Sequence, residues 1–553
     1  MISRCALILI LCCGVESFTT RRPFQPMILR PARSLSRPDP LCSLPASSQG
    51  SGEESARSFS RPDPLYSLQA SSQGSREESR RSMITKFVGG IGSLLLSSTL
   101  PATATAAVQP VVPTPSFPKD LSWPLGKVAF SLLPLAGTAT RRATVQEEVI
   151  PGKIWTHDQV QGVVNVNVPV RQTVVKLSPE SGGGLWVYNP VAPTPQLLQM
   201  MKELESEHGP VRHVVLGSVA LEHKATFGAF ARQFPKATVW IQPGQWAFPL
   251  SLPIDALGVT QKGARLREIP VPGKRVTSDL YQAYANEPPE WLSDFDYEVL
   301  GPLKFQSVGA YSETAFFHKS TKSLILTDAV VSVTPEPPAI IAEDPRGLLF
   351  HARDSINEVV EDTPETRRKG WRRMVQFGLV FFPSQIDVVP AGEALSEASS
   401  IRPELRNLGE GAVPGGALYP WTWHEGNADQ RNFDTISKQG KLFCPPILTK
   451  LILDREPRRT LEWVDRIATR FDFKRVIPAH LANNVSATPK EFREAFEMLE
   501  STPQSPKPQR PLPEDLALLQ KASDLLTSLG VVGPSQVCDL EPARQAGRFA
   551  SST

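Results

Sequence analysis

Only six of the 553 residues are cysteine, and four of them (Cys5, Cys12, Cys13 and Cys42) fall in the first tenth of the chain. With Cys444 and Cys538 alone elsewhere, a disulfide framework is excluded. The chain also lacks an excess of either charge: 59 Lys plus Arg against 56 Asp plus Glu gives 59 − 56 = +3. That balance argues against a nucleic-acid-binding surface and against a polybasic membrane patch. Long apolar runs are missing too. The stretch Phe87 to Leu100 is interrupted by Gly89, Gly90, Gly92 and four Ser or Thr, too little apolar length to cross about 30 Å of hydrocarbon, so no stable membrane span is expected in the mature chain. What remains is 41% apolar and 21% charged residues, suited to a globular core, with 53 Pro, roughly twice the average share of about 5%. Several segments, some of them linkers, follow from that length and that proline content.

Residues 1–17 carry one early charge at Arg4, an apolar run from Cys5 to Cys13, and the small residues Val15 and Ser17, the pattern of a secretory signal peptide. Residues 18–79 are rich in Arg, Ser and Pro, with almost no large apolar side chains, and are expected to be a disordered transit peptide. They hold a tandem repeat of period 24: SLSRPDPLCSLPASSQGSGEES from Ser34 recurs as SFSRPDPLYSLQASSQGSREES from Ser58. A signal peptide followed directly by Phe18 and an Arg/Ser-rich stretch resembles the two-part presequence of algae with red-lineage secondary plastids. Residues 80–106 then present Arg80-Arg81, the mildly apolar stretch, and Ala104-Thr105-Ala106, which resembles a twin-arginine thylakoid transfer signal. The expected location is the thylakoid lumen of such a plastid; a thylakoid-anchored or stromal protein is the alternative.

A Pro-rich lead-in, 107–120, precedes an expected folded domain over 121–501. Val164 to Val170, Val174 to Leu177 and Leu185 to Tyr188 read as a β-meander. Thr194-Pro195 supplies an N-cap and an N1 proline for a helix with Leu197, Leu198, Met201 and Leu204 on one face, closed by Gly209. A strand Val211–Leu216, a helix over Lys224–Phe234 and a strand Ala237–Gln242 follow, with further strands at Thr314–His318, Ser323–Thr327 and Lys474–Pro478 and a helix at Leu461–Phe471. Alternating strands and helices after an antiparallel start indicate an α/β sandwich. The stretch 334–446 mixes Pro, Gly and apolar patches without a readable period. Residues 502–553 read as a Pro-rich linker and an amphipathic helix over Glu514–Leu529 that docks on the domain or binds a partner.

The chemistry-bearing unit is strand Val211–Leu216, the loop 217–221, and Glu222-His223 opening a helix. A strand end followed by a carboxylate and an imidazole resembles the way metallo-β-lactamase-like hydrolases present His-x-His-x-Asp-His, with Ser218, Ala220, Glu222 and His223 on the four positions. Asp328, after strand Ser323–Thr327, and His480, after strand Lys474–Pro478, match the metal-bridging Asp and last His of that fold. Separately, an acid at a helix start favours the helix dipole and an Asp after a strand is an ordinary turn residue. Their shared order and strand-end placement is what points to a site.

Longer stretches resemble one family: Gly184 to Thr194, Glu222-His223-Lys224 with Phe227, Phe234 to Ala237, Pro243 to Trp246, Tyr311-Ser312-Glu313 with Phe316-Phe317-His318, and Leu326 to Ala329. It is the uncharacterised family of plant, algal and cyanobacterial proteins grouped, as a domain of unknown function, with the metallo-β-lactamase-like fold. The resemblance implies a four-layer αββα sandwich and a photosynthetic setting. It implies no reaction, and no catalytic residue is assigned. Against the two-metal members, Ser218 and Ala220 replace two ligands of one metal, and no His stands near Gly309-Ala310-Tyr311. The surviving set, Glu222, His223, Asp328 and His480, suits one divalent ion, Zn, Fe or Mn. Tyr311 and Glu313, with Ser218 and Ala220, are expected to line the pocket. Trp186, Trp240, Trp246 and Trp371 are expected in the core, as are His351 and His424, and His208 and His213 have no assigned role. Two functions compete: a metal-dependent hydrolase acting on a small molecule, and a non-catalytic binding or assembly factor for photosynthetic complexes.

Overall fold

The structure, a computed structural model, describes residues 143–163, 166–245, 265–271, 287–306, 309–381, 383–400, 419, 421–500, 511–536 and 538. The expectations for the signal peptide, transit repeat, transfer segment, lead-in and linker, and for Trp246, lie outside these residues.

Strands β1 (Val145–Ile150), β2 (Ile154–Val163), β3 (Val166–Lys176) and β4 (Leu185–Tyr188) pair antiparallel in sequence order. The antiparallel meander is present, but the two valine runs expected as separate strands form the single strand β3, and β1 and β2 stand ahead of it. Their polar content hid them: β2 reads Ile-Trp-Thr-His-Asp-Gln-Val-Gln-Gly-Val. Helix α1 (Pro195–His208) starts where expected, with the Thr194 hydroxyl accepting from the Leu197 N–H and proline at N1. Its buried face is Leu197, Met201 and Leu204, and Leu198 sits only half-buried. It returns the chain to β5 (Val211–Leu216), parallel to β4. Helix α2 (Leu221–Ala231) begins three residues earlier than the sequence suggested and ends before Phe234. Strands β6 (Thr238–Ile241) and β7 (Arg265–Glu268) complete a seven-stranded sheet in the order β1 to β7.

The second sheet has the order β14-β13-β10-β9-β8. It is built from β8 (Phe295–Lys304), β9 (Ala310–His318), β10 (Ser323–Ile325), β13 (Arg475–Ile477) and β14 (Val485–Ser486). β11 (Ile386–Val388) and β12 (Trp421–Trp423) form a separate ribbon. In the described part of the stretch without a readable period lie α3 (Arg346–Ala352) and α4 (Pro364–Val380), and after it come α5 (Pro446–Leu451) and α6 (Pro457–Arg470). The periodicity of α4 was masked by five basic residues, Arg367, Arg368, Lys369, Arg372 and Arg373, all of them paired with carboxylates.

Period-two burial on each sheet sorts the side chains into layers. One face of the first sheet sends Val174, Leu185, Val187, Val214 and Val239 against Leu197 and Met201 of α1 and Phe227 and Phe230 of α2. The opposite face sends Val175, Trp186, Tyr188, Val215 and Trp240 against Trp291, Phe295, Phe316, Ile325 and Ile477 of the other sheet and the segment leading into it. The outer face of the second sheet (Ala315, Phe317, Leu324, Val476) packs on Trp463, Val464 and Ile467 of α6. These contacts define a four-layer αββα sandwich. The inter-sheet layer is rich in rings: Trp186 lies 4.5 Å from Phe295, and Trp291 5.4 Å from Phe316, contacts worth about 0.5–1.5 kcal/mol each beyond area burial.

The C-terminal helix α7 (Pro513–Ser528) docks on this body through Leu516, Leu519 and Leu526. The buried Asp515 carboxylate accepts from the Ser384 N–H and from Asn432 Nδ2. Trp186, Trp240, Trp371 and His351 are core residues, whereas His424 is partly exposed and lies 3.2 Å from Asp387. Cys444 and Cys538 are both free. Among the described residues, no helix is long and apolar enough to cross a membrane.

Candidate metal centre

Three strand ends bring the site residues together. β5 runs out at Leu216, and the loop 217–220 leads into α2, so Glu222 and His223 fall in its first turn. β10 and β13 pair in parallel with Ile325 opposite Ile477. Asp328 and His480 each lie three residues beyond that pair (328 − 325 = 3, 480 − 477 = 3), so both emerge at the same edge. The β5 loop is tied to the second sheet there: the Val219 N–H donates to the Ser312 carbonyl at 3.1 Å and the Thr314 N–H to the Gly217 carbonyl at 2.8 Å. Gly217 is required at that junction, because a Cβ would stand 2.1 Å from the Tyr188 ring.

One ligand atom from each of Glu222, His223, Asp328 and His480 lies within 4.8 Å of all the others. All four residues are buried, none more than 6% exposed. His223 Nε2 stands 3.2 Å from His480 Nε2, His480 Nε2 3.1 Å from Asp328 Oδ1, and His223 Nε2 3.8 Å from Asp328 Oδ1. His480 Nδ1 donates to the Pro169 carbonyl at 2.8 Å. That bond turns Nε2, as a lone pair, toward the other three residues. Lone pairs and carboxylates packed this closely repel one another unless protons or a cation lie between them.

The spacing fits a cation. Ligands at about 2.0–2.1 Å around a tetrahedral centre stand roughly 3.3 Å apart, close to the two shorter separations seen here. Burial lowers His223 to about 4, with Asp328 opposing, so its ring is neutral and ligand-competent at pH 7.

Of the four residues expected to line the pocket, Ser218 Oγ lies 3.4 Å from Asp328 Oδ2 and accepts from the Ala220 N–H at 3.0 Å. Ala220 is the residue just before α2. Glu313 has a more definite part than lining. Its carboxylate accepts from the backbone N–H groups of Thr327, Asp328 and Ala329 at 2.7–3.1 Å and from the Tyr311 hydroxyl at 2.6 Å. Three successive amides held by one side chain fix the turn that carries Asp328. Burial, then the neighbouring Asp328, pushes Glu313 up to about 8, against the pull of these hydrogen bonds.

Sequence reading missed a second support. Arg171 on β3 is 1% exposed. It bonds the Asp158 carboxylate at 2.8 and 2.6 Å and donates to the carbonyls of Pro478, Leu481 and Ala482. The only sequence signal was an Arg between apolar strand positions, which does not reveal a target 307 residues away. His213, given no role, accepts from Trp240 Nε1 at 3.1 Å.

A family model described as a domain of unknown function (DUF4336) matches residues 151–498, more than half of the chain. Two solved structures are similar to it. A metallo-beta-lactamase from Pontibacter korlensis is 11% identical, with a TM-score of 0.28, over 64% of this chain and 99% of its own. The metal-soaked Flv1 flavodiiron core from Synechocystis sp. PCC6803 is 10% identical, with a TM-score of 0.32, over 74% of this chain and 76% of its own. No curated protein matches the sequence. The sandwich, by its own layers and strand order, is a metallo-β-lactamase-like fold.

Proposed function

The chain belongs to the family described as a domain of unknown function (DUF4336), and from that premise we propose that it is a plastid protein that holds one divalent ion at Glu222, His223, Asp328 and His480 and hydrolyses a small ester, thioester, amide or phosphoester. The observation that carries the reading is the convergence of the four donors within 4.8 Å. Two imidazoles and two carboxylates suit Zn, Fe or Mn. A divalent ion at such a site supplies Lewis acidity toward a carbonyl or phosphoryl oxygen. The residues do the rest: His480 is oriented by its bond to Pro169, His223 is kept neutral by burial, and Glu313 anchors the Asp328 turn. A second ion is not part of the proposal, because Ser218 and Ala220 offer no imidazole. The plastid location, with the thylakoid lumen as compartment, rests on the order of signals before Ala107.

A second reading, a non-catalytic binding or assembly factor for photosynthetic complexes, is favoured by one observation. Glu313, which flanks the side where ligands are missing, spends both oxygens on backbone N–H groups and Tyr311 and is not free to ligate. Turnover of a panel of generic ester and phosphodiester substrates decides between the two. Hydrolysis that disappears in both His223→Ala and His480→Ala supports the first reading; a metal-loaded chain with no turnover on any substrate supports the second.

A further inference from the structure

Resting on that metal-site reading, we propose that Arg171, backed by Asp158, is the positioning residue that sets His480 toward the other three ligands. His480 sits in the seven-residue loop 478–484 between β13 and β14, which contains no helix or strand of its own. Leu481 takes φ of +59°, a left-handed conformation that L side chains adopt only under constraint. Such a loop keeps one shape only if its surroundings impose it.

Two ties come from the Asp328 side, where the Ala479 and Ala482 N–H groups donate to the Thr327 and Ser332 carbonyls at 3.2 and 3.0 Å; the others come from β3. The Arg171 N–H donates to the Ala479 carbonyl at 2.9 Å. Its guanidinium reaches the carbonyls on both sides of His480, Pro478 at 2.7 Å before it and Leu481 and Ala482 at 3.1 and 3.3 Å after it. Two residues earlier on the same strand, the Pro169 carbonyl accepts from His480 Nδ1. This strand thus bonds the loop backbone on both sides of His480 and also sets the ring rotation. The two-pronged bond to Asp158 on β2, at 2.8 and 2.6 Å, fixes the guanidinium plane in turn. A lysine could carry the charge but could not span these carbonyls with a planar fork.

The test compares Arg171→Lys with Arg373→Lys in the full chain. Arg373 is a matched control: it is also buried, donates to three consecutive carbonyls (His351, Ala352, Arg353) and pairs with Asp429 and Asp354, but none of these partners lies in a segment that carries one of the four site residues. Zinc affinity is read by competition with a chelating indicator, and site geometry by the visible absorption of added Co2+. Arg171→Lys is expected to bind zinc about 10–100-fold more weakly, with displaced Co2+ bands, while Arg373→Lys keeps both at wild-type values whatever it does to melting. If Arg171→Lys does not fold, Asp158→Asn, which retains the guanidinium, is expected to shift the same readouts in the same direction.

Unchanged affinity and bands in Arg171→Lys, or equal changes in Arg373→Lys, would overturn the assignment. A wild-type chain without Co2+ bands defeats the metal reading instead, and the positioning claim is then decided on the metal-free protein. There the His480 ring N–H, identified by its loss in His480→Gln, is expected to exchange with solvent about tenfold or more faster in Arg171→Lys than in wild type. Equal exchange rejects the claim.

Discussion

Replacing Glu313 by Gln separates two ways in which a buried carboxyl can be tolerated. Glu313 is fully buried beside Asp328, and burial with that neighbour pushes it up to about 8. In an unfolded chain the same group titrates near 4.5. Between those values the folded protein holds a proton that the unfolded chain has released, so stability falls as pH rises, by about 1.4 kcal/mol per pH unit. Over the whole window the loss is of the order of 3–5 kcal/mol. Glutamine has nearly the same shape, keeps one oxygen for the Thr327 and Asp328 N–H groups and does not titrate, but its NH2 replaces the oxygen that accepts from the Ala329 N–H and Tyr311, a pH-independent cost of about 1–3 kcal/mol. Glu313→Gln is therefore expected to be the less stable of the two near pH 5 and to gain steadily on wild type toward pH 8. The assay is urea unfolding of both metal-free proteins at half-unit pH steps. A stability difference that stays flat with pH, with Glu313→Gln the weaker throughout, would show that the four donors around Glu313 hold it ionised and would refute the reasoning.

Other outcomes follow from burial and packing. His157, fully buried between Gln146 and Gln172, is lowered by burial to about 3. The unfolded chain takes a proton below about 6.5 that the folded chain refuses, so stability should fall by about 1.4 kcal/mol per unit as pH drops from 6.5 toward 3; acid titration followed by near-UV circular dichroism should lose that slope in His157→Gln. Gly370 lets α4 cross α3, since a Cβ there would lie 1.9 Å from the Leu348 carbonyl oxygen; Gly370→Ala should cost about 2–3 kcal/mol or more in urea unfolding. Asp515→Ala removes the acceptor for the Ser384 N–H and Asn432 and should loosen α7 by about 1–3 kcal/mol, seen as faster amide exchange over 513–528 with little change in β3.

The sandwich was legible wherever an element carried its own signal: the N1 proline of α1, the valines of β3, the strand ends before Asp328 and His480. The four residues of the cluster were readable for a related reason: Asp328 and His480 come shortly after strands, and Glu222-His223 open the helix that follows the β5 loop; that they hold an ion is the proposal. What escaped was long-range or polar. β2 hides among Thr, His, Asp and Gln because its polar side chains are buried and satisfied by partners that only the folded sheet brings to them, such as Arg171 across the β2–β3 pair for Asp158 and the Ala192 carbonyl for Gln159. Helix α4 escaped because its basic residues cover its apolar period. Glu313 looked like a wall of the pocket; that its carboxylate clasps three amides 14 to 16 residues further on depends on the pairing of β9 with β10, which spacing alone does not give.

Metal content tests the central claim most directly. The purified full chain, incubated with Zn2+, Fe2+ or Mn2+ and then desalted, is expected to retain about one ion per chain and to melt at higher temperature than the chelator-treated protein, because an ion bound only in the folded state stabilises it. His223→Ala and His480→Ala should each lose most of that metal and the gain in melting temperature. A wild-type chain that holds no metal after loading, and melts identically with and without chelator, would contradict the account.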